Sequence, residues 1–328
     1  MTVEEVRAPG AVALLFPGQG AQRPGMGQPW TETESWALVA ALAELTGRDI
    51  AGLLLHADAA TLRRTDNAQL ATFALEMVVL AELAAAGLPV DGVAGCAGHS
   101  LGEYSALVAA GVLGLADAAR VVSVRAEAMV VAARERPGTM AVVVNADHAD
   151  SAGLVTRVRE TGAEVWVAGI NAPQQITVAG TEPGLAALDA GVREIGGKLI
   201  DLRVGGAFHT PFMSPAVPAV AAALAAVAVT PGRTAVVTNA DGLVKKGPAD
   251  WAELACRQLV EPVQWHRTMQ SLTGDLGARI LVEVGPGKAL CGLARLHDRA
   301  LVALTVNCPA DIPAAARAAE AARESPGR

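Results

Sequence analysis

The chain of 328 residues is poor in the features that mark several broad classes of protein. It has only four cysteines, without the spacing of zinc ligands or the density of small secreted domains, which favours a reducing compartment. Its net charge of −7 argues against a general nucleic-acid footprint. The longest apolar run that we find, residues 216–229, is mostly alanine, contains Pro218, and is shorter than the roughly 20 residues of a membrane span. We therefore expect a soluble cytoplasmic protein that binds neither membrane nor nucleic acid.

The N-terminus also lacks the basic residues that open a signal peptide, since the chain begins Met-Thr-Val-Glu-Glu. The apolar run that follows, residues 11–16, is expected to form the first strand. No repeat of solenoid length is evident. The length fits one large domain, or one domain with an insertion, and the 52% of hydrophobic residues can form a substantial core.

A short pattern around Ser100 carries the strongest chemical signal. Gly98, Ser100 and Gly102 form G-x-S-x-G, preceded by an apolar run and followed by a helix-like run, which is the context of a nucleophile elbow. The glycines permit a strained turn, and the hydroxyl then lies at a helix N-terminus, where developing negative charge is stabilised. A glycine-rich turn without chemistry would explain the glycines but not the serine. We therefore predict that Ser100 is a nucleophile.

Between residues 139 and 204 the pattern changes to short alternating units. Strands predicted at 140–144, 164–170, 174–179 and 198–204, with helices at 148–160 and 184–195, give the ferredoxin-like order βαββαβ. We place an inserted small subdomain at residues 138–204, because Pro137-Gly138 and Gly205-Gly206 bound this segment. Residues 309–328 are predicted to be a terminal helix or a frayed tail.

A nucleophilic serine needs a general base, and a histidine is the usual one. The six histidines are His56, His99, His148, His209, His266 and His297. His99 adjoins the serine, but neighbouring side chains on an elbow diverge, so we expect it to pack beneath the turn. His209 follows the insertion in a loop flanked by glycines and a proline, where a side chain can face a cleft. This favours His209 without excluding the others.

Further short motifs follow one another along the chain. They are Pro17-Gly18-Gln19-Gly20-Ala21-Gln22, Gly98-His99-Ser100-Leu101-Gly102-Glu103-Tyr104, Arg125, Asn171-Ala172-Pro173, Ala207-Phe208-His209, Gln258 with Pro262-Val263-Gln264-Trp265, and Gly285-Pro286-Gly287-Lys288. In this order they resemble the malonyl-CoA:acyl carrier protein transacylase family, which includes the acyltransferases of fatty acid and polyketide synthesis. The resemblance runs from about residue 12 to residue 295, nearly the whole chain.

The resemblance implies an α/β fold in which residues 1–137 and 205–308 form an α/β-hydrolase-like catalytic subdomain around the ferredoxin-like insertion. It makes Ser100 the acylated nucleophile and His209 its general base. The backbone N–H groups of Gln19 and Leu101 would form the oxyanion hole. In this family a main-chain carbonyl orients the histidine, here that of Gln258. No triad aspartate is then needed, and Asp201, in the insertion, is expected to be a solvated residue.

The resemblance also implies the substrate class. Arg125 would hold the free carboxylate of a malonyl group through two parallel hydrogen bonds, and Asn171 would belong to the substrate site. From the residues alone, Arg125 could equally be a surface arginine. Phe208 would crowd an α-substituent, as in malonyl-selective members, although Gly206 stands where the family signature His-Ala-Phe-His has its first histidine.

The implied function is transfer of a malonyl group from malonyl-CoA to the phosphopantetheine thiol of an acyl carrier protein acting in trans. No cofactor and no metal ion is expected, and we expect a monomer. Three alternatives are a transferase that shuttles another acyl group between carriers, a thioester hydrolase, and a non-catalytic carrier-binding scaffold. Two basic patches are candidates for contact with an acidic carrier. They are Lys288 with Arg295 and Arg299, and the pair Lys245-Lys246.

Overall fold

Two β-sheets organise the residues that the computed structural model describes, which are 12–88, 90–202 and 204–324. The acidic N-terminus, Pro89, Arg203 and the last four residues of the predicted tail lie outside the described residues. The strands are β1 (Val12–Phe16), β2 (Gly95–Gly98), β3 (Thr139–Val144), β4 (Val165–Ala172), β5 (Gln175–Gly180), β6 (Lys198–Asp201), β7 (Val236–Val237), β8 (Val244–Lys245), β9 (Ile280–Val284) and β10 (Val302–Val306).

Helices connect the strands and cover the sheets. They are α1 (Ala37–Thr46), α2 (Ile50–Leu55), α3 (Ala59–Arg63), α4 (Thr65–Ala85), α5 (Gly102–Ala109), α6 (Leu115–Glu135), α7 (His148–Glu160), α8 (Glu182–Glu194), α9 (Val217–Ala225), α10 (Trp251–Val260), α11 (Trp265–Gln270), α12 (Ala289–His297) and α13 (Ile312–Glu324). Short 3₁₀ turns precede α1, α9 and α13, and a π-helical turn, Ser271–Asp275, continues α11.

The larger sheet has the strand order β10-β9-β1-β2-β7-β8. Strand β1 pairs in parallel with β2 and with β9, and only β8 runs antiparallel to its neighbour. All five residues of β1, with the sequence VALLF, are buried, as expected for a central strand covered on both faces. The carboxyl ends of β1, β2 and β7 therefore meet at one edge, where ligands of open α/β sheets bind.

The smaller sheet is antiparallel, with the order β4-β5-β3-β6. Its strands and helices follow one another as β3-α7-β4-β5-α8-β6, the ferredoxin-like order that the sequence predicts. The sheet extends from Thr139 to Asp201, so β6 ends before the predicted residue 204. Edge strand β4 also joins the larger part of the fold, because Ile170 N donates to Val263 O (2.8 Å) and Val263 N donates to Ala168 O (3.0 Å).

Helix α4 is long and apolar enough to cross a membrane by length and composition alone, a property that the sequence analysis overlooked. In the fold, 72% of its most apolar window is buried. The helix packs against α6 and contributes Leu70, Phe73 and Val78 to the main hydrophobic core. Its apolar composition is that of a core helix buried on most of its surface.

The C-terminal segment forms a packed helix, α13, and is not frayed over residues 312–324. Ile312 and four alanines of this helix are buried against the core. Strand β10, which a short 3₁₀ turn separates from α13, forms one edge of the larger sheet. The sequence analysis assigned neither β10 nor the two-residue strand β8.

Candidate active site

Ser100 lies between the end of β2 and the start of α5 with a left-handed backbone, at φ +56°. The glycines on either side are required by close contacts. A Cβ at Gly98 would lie 1.9 Å from the backbone of Gly102, and a Cβ at Gly102 would lie 2.1 Å from the carbonyl oxygen of Phe16. A non-glycine residue with positive φ is uncommon, and such strain is concentrated at functional sites. The turn therefore has the geometry of a nucleophile elbow.

Asn239, which follows β7, binds the backbone on both sides of the strained turn. Ser100 N donates to Asn239 Oδ1 (2.6 Å), and Asn239 Nδ2 donates to Gly98 O (2.6 Å). The side chain is fully buried, so water cannot replace either hydrogen bond without rearrangement. The sequence analysis missed this residue. Its signal was available, because polar residues at the carboxyl ends of parallel strands surround the ligand sites of α/β sheets.

His209 lies beside the nucleophile. Ser100 Oγ and His209 Nε2 are 2.8 Å apart, and His209 Nδ1 and the carbonyl oxygen of Gln258 are 2.6 Å apart. Because a carbonyl only accepts, we assign the proton to Nδ1, which leaves Nε2 to accept from the serine hydroxyl. Asp201 lies on the edge strand β6 and is not the partner of this imidazole.

Burial lowers the pKa of His209 to about 3, and the neighbouring positive charge of Arg125 acts in the same direction. The imidazole is therefore neutral at pH 7 and can accept a proton. His209 also has a left-handed backbone, at φ +59°. Among the described residues, three that are not glycine have a positive φ: Ser100, His209 and Asn145. Two of the three, Ser100 and His209, therefore share one hydrogen bond in the site.

Arg125 is buried, with 1% of its surface exposed, and is not the surface residue that its position in α6 allowed. Its Nη2 donates to Ser100 Oγ (3.0 Å) and to Gln258 Oε1 (2.9 Å), and its Nη1 donates to Gln69 Oε1 (2.5 Å). A buried cation therefore points at the nucleophile. Gln69 was not predicted, although a polar residue in the middle of the apolar helix α4 is a recognisable signal.

Glu103 and Gln258 complete the buried polar network. Gln258 Nε2 donates to Ser100 O (2.8 Å) and to a carboxylate oxygen of Glu103, whose other oxygen accepts from Asn239 N (2.9 Å). Burial raises the pKa of Glu103 to about 7, against the effect of these hydrogen bonds. The side chain of Gln258 is fixed on three sides, which fixes the carbonyl that orients the histidine.

The remaining predicted residues lie around this centre. Leu101 is fully buried, and Gln19 Nε2 donates to Thr65 Oγ1 (3.5 Å). Within the described ranges, the backbone N–H groups of Gln19 and Leu101 donate no hydrogen bond to another residue, as the predicted oxyanion hole requires. Asn171 lies beside His99, the residue before the nucleophile, with its Oδ1 3.3 Å from His99 Nε2, and its Nδ2 donates to Thr177 Oγ1 (2.8 Å) on β5.

Phe208 is buried, and its ring lies against Gly206. A Cβ at Gly206 would be 2.7 Å from Phe208 Cε1 and 3.0 Å from Cβ of Ala133. Gly206, which stands where the family signature has a histidine, therefore leaves room for the Phe208 ring in this position.

Among the described histidines, His209 is the one whose side chain forms a hydrogen bond with Ser100. His99 packs against Trp265, with ring centroids 5.4 Å apart. His148, His266 and His297 form a row with centroids 5.3 and 5.7 Å apart. Across the portion of the chain with described coordinates, no group of three or more His, Cys, Asp or Glu side chains is arranged to hold a metal ion.

An α/β sheet with a strained serine at an elbow and a neutral histidine beside it defines a class of enzymes that carry acyl groups on serine. The family model of the acyl transferase domain matches residues 13–298, and the chain belongs to this family. The malonyl CoA-acyl carrier protein transacylase of Bacillus subtilis (strain 168) is 35% identical over 304 residues, which are 92% of this chain and 95% of that protein.

Solved structures support the same relationship. The malonyl-CoA:acyl carrier protein transacylase from Xanthomonas oryzae pv. oryzae is 33% identical, with a TM-score of 0.87 over 95% of this chain and 99% of that chain. A malonyl-transacylase in complex with a type II polyketide synthase acyl carrier protein is 29% identical, with a TM-score of 0.87 over 93% and 99% of the two chains. The family resemblance and the α/β fold class with a small subdomain are confirmed.

The hydrogen bonds of Asn239 generate a first prediction. Asn239→Ala should lower the rate of serine acylation by about 100-fold, because small displacements of a reacting group cost about that much. The matched control is Asn307→Ala, since Asn307 binds the N–H (2.7 Å) and the carbonyl (2.9 Å) of Gly287 in the same manner, outside the Ser100 network. Both variants should lose thermal stability, and only Asn239→Ala should lose acylation rate in stopped-flow measurements. Equal rates in the two variants would contradict the assignment.

Proposed function

We propose that the chain transfers a malonyl group from malonyl-CoA to the phosphopantetheine thiol of an acyl carrier protein, through an acyl-enzyme on Ser100. The observation that carries the proposal is the convergence of a serine, a neutral histidine and a buried arginine, with Ser100 Oγ within 3.0 Å of both His209 Nε2 and Arg125 Nη2. The names of the relatives, and the carrier complex among the solved structures, support the substrate and the partner.

In the first half-reaction, Ser100 Oγ attacks the thioester carbonyl carbon and its proton passes to His209 Nε2. The carbonyl oxygen becomes an oxyanion, to which the N–H groups of Leu101 and Gln19 would donate hydrogen bonds. The carbon–sulfur bond then breaks, and the leaving thiolate takes the proton from His209. The products are CoA and a malonyl ester of Ser100.

In the second half-reaction, the carrier's thiol takes the place of the serine hydroxyl. His209 Nε2 accepts the thiol proton while the sulfur attacks the ester carbonyl, and then returns the proton to Ser100 Oγ as the ester bond breaks. The Gln258 carbonyl keeps the imidazole in one orientation through both steps. A neutral carbonyl is a sufficient partner for Nδ1, in place of a carboxylate, because the protonated imidazole exists only transiently. Its charge is also destabilised by the neighbouring Arg125.

Arg125 supplies selectivity for an acyl group with a free carboxylate. A guanidinium binds a carboxylate through paired charge-assisted hydrogen bonds, and in this buried site an acyl group without a carboxylate would leave the cation unpaired. The bound carboxylate also offsets the charge that lowers the pKa of His209. A dicarboxylic substrate therefore makes the general base stronger when it binds.

Phe208 would limit substituents on the α-carbon of the malonyl group, since its ring is buried and the residue directly precedes the general base His209. The alternatives considered from sequence are a transferase that shuttles another acyl group between carriers, a thioester hydrolase, and a non-catalytic carrier-binding scaffold. The buried charge of Arg125 beside Ser100 Oγ favours the malonyl substrate over a neutral chain.

We further propose a cytoplasmic monomer that serves its carrier in trans. Of the two predicted basic patches, the Lys245-Lys246 pair is weakened as a candidate, because Lys245 Nζ forms an ion pair with Asp241 Oδ2 (2.7 Å). Lys288, Arg295 and Arg299 are exposed, and Arg295 Nη2 donates to Ala303 O (3.3 Å). This patch remains a candidate contact for the carrier.

Ser100→Ala should abolish the mass increase of one malonyl group after brief exposure to malonyl-CoA, measured by intact-protein mass spectrometry. His209→Ala should slow acylation by about 10²- to 10⁴-fold, the usual contribution of a positioned base. The matched control is His266→Ala, since His266 is a partly buried histidine that contacts His148 and His297 instead of the serine. Labelling of Ser100→Ala, or equal losses in the two histidine variants, would reject the dyad.

Arg125→Ala should lower kcat/KM for malonyl-CoA by about 100-fold or more, since breaking a buried ion pair costs about 3–5 kcal/mol. Acylation by acetyl-CoA should be unchanged or faster, because an acetyl group makes no ion pair. Arg120→Ala, on the same helix but exposed and paired with Asp117, is the control and should change neither rate. A parallel fall with both donors would instead mean that Arg125 has a structural role.

The lowered pKa of His209 predicts a particular pH profile. Because the base must be neutral, kcat/KM for malonyl-CoA should fall only well below pH 6.5, as the free enzyme binds its proton. The carboxylate of a bound malonyl group raises the pKa of His209 by pairing with Arg125. The acid limb of kcat should therefore lie at a higher pH than that of kcat/KM. With acetyl-CoA the two limbs should coincide. A kcat/KM limb near pH 6.5 would contradict the assignment.

A further inference from the structure

A basic groove lies where the start of α4 meets the end of α6, outside the network around Ser100. It encloses a cavity of about 230 Å³, and its lining includes Arg63, Arg64, Asp66, Arg134 and Gly205. Arg63 ends α3, Arg134 is in the last turn of α6, and Gly205 begins the segment that leads to the general base. Two segments distant in sequence thus bring cations to one small space, and a third, at Gly205, completes its lining.

The charge of the groove is opposite to that of the chain, whose net charge is −7. Asp66 is its single acidic lining residue, and it already accepts from Arg64 (3.1 Å) and from Arg48 (3.1 Å). Arg63 and Arg134 form no ion pair with any residue for which coordinates are described. The groove therefore presents unneutralised guanidinium groups, which suit a compact anion.

Each wall of the groove continues into the active site. Helix α6 carries both Arg134 and Arg125, nine residues apart, which is about 13 Å along a helix axis. At the start of α4, Thr65 lines the groove and accepts from Gln19, while Gln69, one turn later, accepts from Arg125. The groove is thus separated from the substrate's carboxylate site by a distance that an extended pantetheine chain can bridge.

We propose that this groove binds the phosphate at the end of the pantetheine arm, a group common to malonyl-CoA and to the phosphopantetheine of a carrier. The inference rests on the proposed function, because both acyl donor and acceptor then carry the same phosphate at the same distance from the reacting sulfur. Guanidinium groups bind phosphate oxygens through charge-assisted hydrogen bonds, and the small volume fits a phosphate better than a nucleoside. One subsite would therefore serve both half-reactions.

The cavity beside His209 is a weaker candidate for the same role. It measures about 420 Å³ and is lined by one arginine, Arg159, together with the acidic Glu261. Arg159 lies over the ring of Trp166, 5.0 Å from its centroid. A cavity with one cation, one anion and mostly apolar walls offers a phosphate little net attraction.

The test compares donors that differ only beyond the pantetheine arm. Acylation of Ser100 is measured with malonyl-pantetheine, which lacks the phosphate, with malonyl-phosphopantetheine, and with malonyl-CoA. Transfer from the acyl-enzyme to a phosphopantetheinylated carrier is measured separately. The variants are the double substitution Arg63→Gln with Arg134→Gln, and Arg317→Gln as a control, since Arg317 is an exposed arginine of α13.

The double variant should lower kcat/KM by about five- to tenfold for malonyl-phosphopantetheine, for malonyl-CoA and for the carrier, the range expected for exposed charge contacts. Its kcat/KM for malonyl-pantetheine should equal that of the wild type. The phosphate-dependent difference should shrink at high salt, because exposed charges are screened. Arg317→Gln should match the wild type with every substrate.

Each other result has a definite meaning. An equal fall with malonyl-pantetheine would make the arginines structural, and unchanged rates with all four substrates would leave no role in binding. A fall with the carrier alone would assign them to the carrier's protein surface, and a fall with malonyl-CoA alone would assign them to its nucleotide. All four results overturn the phosphate subsite while leaving the proposed function intact. Failure of the wild type to be acylated by any malonyl donor would overturn the proposed function itself.

Discussion

The left-handed backbone at Ser100 is the constraint on which the rest of the site depends, because such a turn persists only when its surroundings hold it. Gly98 and Gly102 approach each other too closely for any side chain, and Gly102 also lies against the carbonyl of Phe16 at the end of β1. Asn239 binds the turn from the end of β7. Since β1, β2 and β7 are neighbours in one parallel sheet, three strands position the serine together, and its hydroxyl does not depend on the conformation of a free loop.

The electrostatics of the site follow from placing a cation and a carboxyl group out of water. Burial favours the neutral forms of Glu103 and His209, while the hydrogen bonds of Gln258 connect Glu103 to Arg125. Burial is the larger cause of the lowered pKa of His209 and the charge of Arg125 the smaller one, so an anion that pairs with the arginine would relieve part of the shift. In the proposed reaction, binding of the malonyl carboxylate, one CH2 group away from the reacting carbonyl, would thereby raise the proton affinity of the general base.

Much of this could be predicted from sequence, and the limits have physical causes. The elbow and the βαββαβ order depend on short-range patterns, so Ser100 and the insertion were found from spacing alone, and α7 agrees with its predicted range, 148–160. His209 and Arg125 were chosen with the help of the family resemblance, because nothing local distinguishes a histidine that faces a serine 109 residues away. Asn239 and Gln69 act through contacts between distant segments, and β8 is too short to produce a periodic signal.

The backbone pairing between β4 and Val263 has a consequence for how members of this family could be recombined. The insertion is hydrogen-bonded to a residue only five positions beyond Gln258, whose carbonyl holds the imidazole. A chimera that exchanged only the segment between Gly138 and Val204 would join a foreign edge strand to a native partner, and any error in register would be transmitted along that short stretch to the histidine. The natural unit of exchange is therefore the insertion together with residues 258–265, although the two are separated in the chain by more than fifty residues.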